Sequence, residues 1–104
     1  MDNNNEKNFD LDVILTVTSG RLFTNIENLY DILNYLTNDK IYTHEIPYLM
    51  NIAKKYILSK YPQLVNVGRD VAINNWQDIK NFIDEQKKIY GNSIRISPMQ
   101  KNVA

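Results

Sequence analysis

Hydrophobic residues recur at helical spacing in three stretches of the chain and in alternation near its two ends. The clearest helical stretch covers residues 24–38. Ile26, Leu29, Tyr30, Leu33 and Leu36 fall on one stripe. Thr24-Asn25-Ile26-Glu27 predicts a capping box, with the Thr24 hydroxyl on an orphan amide and Glu27 reaching back. Thr37-Asn38-Asp39-Lys40 ends the pattern. A second helix is predicted from Thr43 to about Tyr61, with Pro47 near its first turn and Pro62 as its stop. Leu49, Ile52, Ala53, Tyr56 and Ile57 form its core face, and Leu58 falls on the polar side with Asn51, Lys54 and Lys55. A third helix is predicted from about Asn75 to Tyr90. Trp76, Ile79, Phe82, Ile83 and Tyr90 share one side of it, and Gly91 suits the position just past its end.

The remaining stretches are less regular. In residues 9–17, Leu11, Val13, Leu15 and Val17 alternate with Asp12, Ile14 and Thr16, which suits a strand. Leu11, Ile14 and Leu15 also fit one helical face. A short helix running into an extended segment over 16–23 satisfies both patterns. Residues 64–73 are valine-rich around Gly68 and read as a short strand or an irregular crossing. Ser93-Ile94-Arg95-Ile96-Ser97 alternates as a short strand, and Pro98 marks its end or an edge. The predicted fold class is α+β and mostly α, with three main helices and a small β element of two to three strands. Residues 1–8 are polar and asparagine-rich and are expected to form a disordered tail. Residues 9–98 are expected to form a single globular domain, and residues 99–104 a flexible tail.

Length and composition narrow the function classes. A chain of 104 residues supports one core and leaves little room for a deep cleft as well. The absence of cysteine excludes a disulfide framework, a thiolate zinc site and a cysteine nucleophile, and it fits a reducing compartment. The polar opening Asp2-Asn3-Asn4-Asn5-Glu6 predicts no signal peptide, and no apolar run has the length of a membrane span. Twelve basic and twelve acidic residues balance, with lysines interleaved among acids. General nucleic-acid binding needs a cationic excess to neutralise phosphates, so it is not expected. Nor is a membrane partner or a cofactor.

The segment Thr16-Val17-Thr18-Ser19-Gly20-Arg21 concentrates hydroxyls, a glycine and one of only three arginines. Backbone amides around a glycine, hydroxyl donors and a guanidinium suit an anion. Ser-Gly is equally ordinary turn chemistry, and the segment lacks the GxxxxGKS/T spacing of a phosphate-binding loop. His44, the one histidine, sits in Thr43-His44-Glu45-Ile46-Pro47 at a predicted helix start, where capping is its simplest role. No nucleophile accompanies it and no metal-ligand cluster is spaced around it. Thr18, Ser19, Gly20, Arg21, Thr43 and His44 are therefore the anion-site candidates. Convergence of Arg21 with Arg69 and Arg95 would strengthen such a site. The carboxylate pairs Asp10/Asp12 and Asp84/Glu85 lack the apolar setting that separates two pKa values. Tyr35 and Leu58 fall on otherwise polar helix faces and Tyr48 near an edge, which makes these three the partner-surface candidates.

Several motifs carry a resemblance. They are Thr18-Ser19-Gly20-Arg21-Leu22, the run from Leu29-Tyr30-Asp31 to Thr37-Asn38-Asp39, Thr43-His44-Glu45-Ile46-Pro47, Tyr61-Pro62-Gln63-Leu64, and Tyr90-Gly91 through Pro98. Together they resemble a family of small tailed-phage and prophage proteins whose pattern runs TTGRL, LYxILNxMTGD, THxLPR, PQL and a terminal YGxxLxVxP. The resemblance covers most of residues 11–98. Ser19 stands where that pattern has Thr, Asn38 where it has Gly, and Tyr48 where it has Arg. The last change weakens any anion site near His44.

The resemblance implies a phage accessory protein in the cytoplasm of an infected bacterium. It brings a source and a fold expectation, and no reaction. The expected function is stoichiometric, non-enzymatic binding: a counter-defence inhibitor of a host defence protein, of the anti-CRISPR kind. One alternative is an oligomeric sponge for a nucleotide-derived immune signal. Another is a structural or regulatory phage protein. Self-association into a homo-oligomer is a further expectation.

Overall fold

Residues 6–99 are described by a computed structural model, in which a buried N-terminal helix is surrounded by three amphipathic helices and a two-stranded sheet. Strand β1 (Lys7–Asp10) leads directly into helix α1 (Leu11–Ser19). Helix α2 (Ile26–Thr37) follows, then a 3-10 turn (Thr43–Glu45) and helix α3 (Ile46–Lys60). A second 3-10 turn (Pro62–Leu64) and an irregular crossing lead to helix α4 (Trp76–Tyr90) and strand β2 (Ser93–Ile96). The class is α+β and mostly α, as the sequence predicts, with four helices instead of three and two strands.

The fourth helix is α1, and it runs through the segment expected to be extended. Leu11, Val13, Ile14, Leu15 and Val17 are all buried, along with Thr16 and Thr18. A helix that is apolar all round belongs inside a fold, and α1 packs on α2, α3, α4 and both strands. The Thr16 hydroxyl donates to the carbonyl of Asp12 at 2.7 Å and accepts from the amide of Phe23 at 3.0 Å. A buried polar side chain is thereby satisfied within its own helix and the following turn.

The sheet joins the two ends of the described chain. β1 and β2 are antiparallel, with Lys7 opposite Ile96 and Asp10 opposite Ser93. Phe9, Ile94 and Ile96 face the core. Lys7 and Asn8, expected in a disordered tail, are therefore strand residues paired with β2. Met99 is also tied down, its amide donating to Leu36 O at 2.8 Å. Glu6, also expected in the N-terminal tail, pairs its side chain with Arg95, and residues 1–5 and 100–104 of the two expected tails lie outside the described residues.

The amphipathic helices follow their stripes with local shifts. In α2 the buried set is Leu29, Ile32, Leu33 and Leu36, while Ile26, at the first helical position, is half exposed. The predicted capping box moves by one residue: Asn25 is the N-cap and its Oδ1 accepts from the amide of Asn28 at 2.8 Å. Thr24 instead accepts from the Asn28 side chain. Ala53 and Ile57 anchor α3, and Ile83 anchors α4. Trp76, expected on the core side of α4, is 65% exposed because it opens the helix beyond the reach of the core. No helix among the described residues is long and apolar enough to cross a membrane.

Candidate functional site

The Thr18-Ser19-Gly20-Arg21 segment is the C-terminal end of α1. Gly20 adopts the left-handed conformation (φ 78°) and its amide donates to Thr16 O at 3.1 Å, closing the helix. A helix C-terminus presents carbonyls and negative partial charge, the opposite of what an anion needs. Thr18 is fully buried, its hydroxyl lying 3.5 Å from Leu15 O, and Ser19 Oγ accepts from the amide of Arg21 at 3.0 Å. Arg21 Nη1 lies 3.0 Å from Gly68 O, 3.3 Å from Arg69 O and 2.7 Å from Val71 O, and the guanidinium sits over the Phe23 ring. The expected anion ligand is thus a clamp that fastens the turn after α1 to the 68–71 loop.

Thr43 and His44 belong to a different neighbourhood. The Thr43 hydroxyl shares a hydrogen bond of 2.7 Å with Tyr30 OH. His44 is exposed and stacks on Tyr42, with ring centroids 6.1 Å apart and planes at 14°. Glu45 holds this turn by accepting from the Tyr42 amide at 2.8 Å. No hydrogen bond or ring contact among the described residues joins this turn to the Thr18–Arg21 segment. Arg95 is engaged elsewhere too, its Nε pairing with Glu6 Oε1 at 2.8 Å. Arg69 meets Arg21 through its backbone carbonyl alone. The predicted set of six does not assemble into one site.

The partner-surface candidates separate as well. Tyr35 is half-buried: its ring lies 5.2 Å from that of Phe9 and its hydroxyl donates to Ile96 O at 2.8 Å. Burial, reinforced by Tyr56 and Glu6 and opposed by Arg95, raises its pKa. Leu58 is half-buried against the core, so the polar face of α3 does not leave it free. Tyr48 alone projects, 69% exposed.

Tyr48 has company that the periodicity did not point to. Tyr42 is 58% exposed just before the Thr43–Glu45 turn, and Tyr48 is the third residue of the helix that follows it. Tyr42, His44 and Tyr48 thus put three exposed rings on one short stretch at the start of α3. The signal was available as aromatic density around Pro47, which stripe counting passes over because a turn has no helical face. Such a patch can stack, accept hydrogen bonds and bury area, which is binding chemistry. Among the described residues no group of three or more His, Asp or Glu is placed to hold a metal ion.

A family model matches residues 9–67, from the end of β1 through α1, α2 and α3, a stretch that carries Arg21 and the aromatic patch but stops short of the 68–71 carbonyls that Arg21 holds. No curated protein and no solved structure matches the chain. The match covers more than half of the sequence, and the chain belongs to the family described as Domain of unknown function (DUF7736).

Proposed function

We propose that this protein acts by stoichiometric binding to another protein, without turnover, through the Tyr42–His44–Tyr48 patch. The observation that carries this reading is the exposure of two tyrosines beside a stacked histidine on a stretch braced from both sides. Tyr30 holds Thr43 and Glu45 holds the Tyr42 backbone. Tyrosine brings large contact area at low conformational cost, which is why it recurs at binding hot spots. The motif resemblance to tailed-phage proteins adds the setting: a counter-defence inhibitor acting on a host defence protein in the cytoplasm of an infected bacterium.

A signal sponge built on Thr18, Ser19, Gly20, Arg21, Thr43 and His44 has less support. Its guanidinium lies against carbonyls and its histidine stacks in a separate neighbourhood.

The test is phage plating on bacterial strains that each carry one defence system, CRISPR–Cas among them, with and without this protein. The wild type should restore plating on one strain. The double variant Tyr42→Ala/Tyr48→Ala should not, while melting at the wild-type temperature. Restoration on no strain overturns the counter-defence reading, and restoration by the double variant overturns the patch. A wild-type dimer that becomes monomeric in the double variant would assign the patch to self-association instead.

A further inference from the structure

Helix α4 packs chiefly on α1, and of its 15 residues only Ile83 is buried, although Trp76, Ile79, Phe82, Ile89 and Tyr90 are apolar as well. A groove of about 260 Å³ lies between α4 and the start of α1 and shares no residue with the Tyr42–Tyr48 patch. Trp76, Ile79, Lys80, Ile83, Asp84 and Lys87 form its α4 wall, with Asp12 and Phe23 opposite. Three features bear on what covers it. The indole of Trp76, at one end, is 65% exposed. Lys80 and Lys87 are balanced by Asp12 and Asp84, so the groove carries both signs and no net charge. The stripe Trp76, Lys80, Ile83, Lys87 is spaced by four, three and four residues, and it therefore reads the same from either end.

Each feature narrows the occupant. A groove without net charge has no field to draw in the phosphates of a nucleic acid or a strongly charged peptide. It suits a surface with the same mixture of signs. An exposed indole beside Phe23, Ile79 and Ile83 is area that association removes from water. A stripe that reads the same in both directions is self-complementary when two copies of the helix run antiparallel about a two-fold axis. We propose that this groove is the interface of a dimer of the chain, its two α4 helices antiparallel and crossing level with Asn81 and Phe82. Trp76 of each copy then lies against Lys87 of the other, the indole on the lysine stem and beside its ammonium. Lys80 lies against Ile83 of the second copy, which brings it next to that copy's Asp84, and the same ion pair repeats across the axis. One pair of helices about 22 Å long stays below the ~1,200 Å² at which standard interfaces begin. The dimer is therefore concentration-dependent, with a dissociation constant on the order of 10–100 μM. The proposal stands independently of the Tyr42–Tyr48 patch.

The test is sedimentation velocity of the full chain from about 1 μM to about 1 mM. Fluorescence gives a second reading, because Trp76 is the chain's single tryptophan. The wild type should pass from monomer to dimer across that range while its emission shifts to the blue. Trp76→Ala, an exposed change, should stay monomeric throughout and melt at the wild-type temperature. Lys80→Glu alone sets two acidic groups against each other across the axis, and Asp84→Lys alone sets two ammonium groups together. Each should weaken the dimer roughly tenfold. An equimolar mixture of these two variants should dimerise about as tightly as the wild type, because each copy supplies the sign the other lacks. A wild type that is monomeric at the top of the range, a dimer that survives in Trp76→Ala, or a mixture no tighter than either variant alone overturns the assignment. So does a dimer lost in Tyr42→Ala/Tyr48→Ala and kept in Trp76→Ala, which would place self-association on the aromatic patch.

Discussion

The hydroxyl of Tyr35, in the last turn of α2, donates to the backbone carbonyl of Ile96 in β2 at 2.8 Å. It is one of three such bonds. Tyr61 donates to Arg95 O, and Tyr56 to Ser97 O at 2.7 Å. Tyrosines from α2, from α3 and from the residue that caps α3 therefore fasten three successive carbonyls, two in β2 and one just after it. The short sheet needs this support, since an isolated pair of strands is marginal in water. Replacing Tyr35 by Phe keeps the ring on Phe9 and removes the donor. The expected loss is about 1 kcal/mol, read from urea denaturation at neutral pH.

The same tyrosine gives a pH signature. Its pKa is raised in the folded protein, chiefly by burial, so the folded state holds the proton more tightly than the unfolded chain does. Below the ordinary tyrosine value of 10.0 both states are protonated and this stabilisation is present in full. It is lost as pH rises from there through the folded value. Denaturation midpoints measured upward from pH 9 should fall more steeply for the wild type than for Tyr35→Phe.

Arg21 should behave as a structural clamp. Arg21→Ala removes a charged donor from the carbonyls of Gly68, Arg69 and Val71, with an expected loss of about 2 kcal/mol. Arg21→Lys should recover only part of it, because the shorter ammonium stem has to reach the carbonyls that Nη1 meets and gives up the flat guanidinium over the Phe23 ring. Hydrogen exchange at residues 68–71 should quicken in both variants. Exchange at α2 should not.

Two glycines with similar backbone geometry should differ in their tolerance of alanine. Gly20 (φ 78°) has nothing within 4 Å of an added Cβ, so Gly20→Ala costs only backbone strain, about 1 kcal/mol. Gly68 (φ 85°) would place its Cβ 2.9 Å from the Phe23 ring, itself packed on Phe82 at 5.3 Å. Gly68→Ala adds that overlap to the strain and should cost about 2–4 kcal/mol in thermal or urea unfolding.

The three amphipathic helices were legible because each is half-exposed and sharply punctuated, by Asn38, Pro62 and Gly91. Helix α1 was legible only in part: a short helix from Leu11 is one of its two readings, but its last turn over Thr16 to Ser19 reads as extended, since near-complete burial blurs the apolar–polar rhythm that marks a helix. That one misreading carried over to the candidate site. With Thr16 to Ser19 taken as extended, Gly20 and Arg21 look like an amide-rich loop, but at a helix C-terminus they face carbonyls. Tyr35 was misplaced because a strand from the far end of the chain covers the polar side of α2, a contact that local periodicity cannot register. Tyr48 was legible because Pro47 fixes the start of α3 and leaves the next residue off its apolar stripe. Asp12 and Trp76 enter one groove only through the packing of α4 on α1.

The pairing of Lys7 with Ile96 has a consequence for synthesis. The ribosome makes α1 well before α4 and β2, which cover part of it. The most apolar helix must therefore wait with part of its surface bare until α4 and β2 have emerged, and this domain cannot finish folding before them. A nascent chain stalled before residue 93 would carry β1 without its partner strand and α1 without its full cover. Chaperone dependence should peak at that length and end within a few residues of the last strand's release.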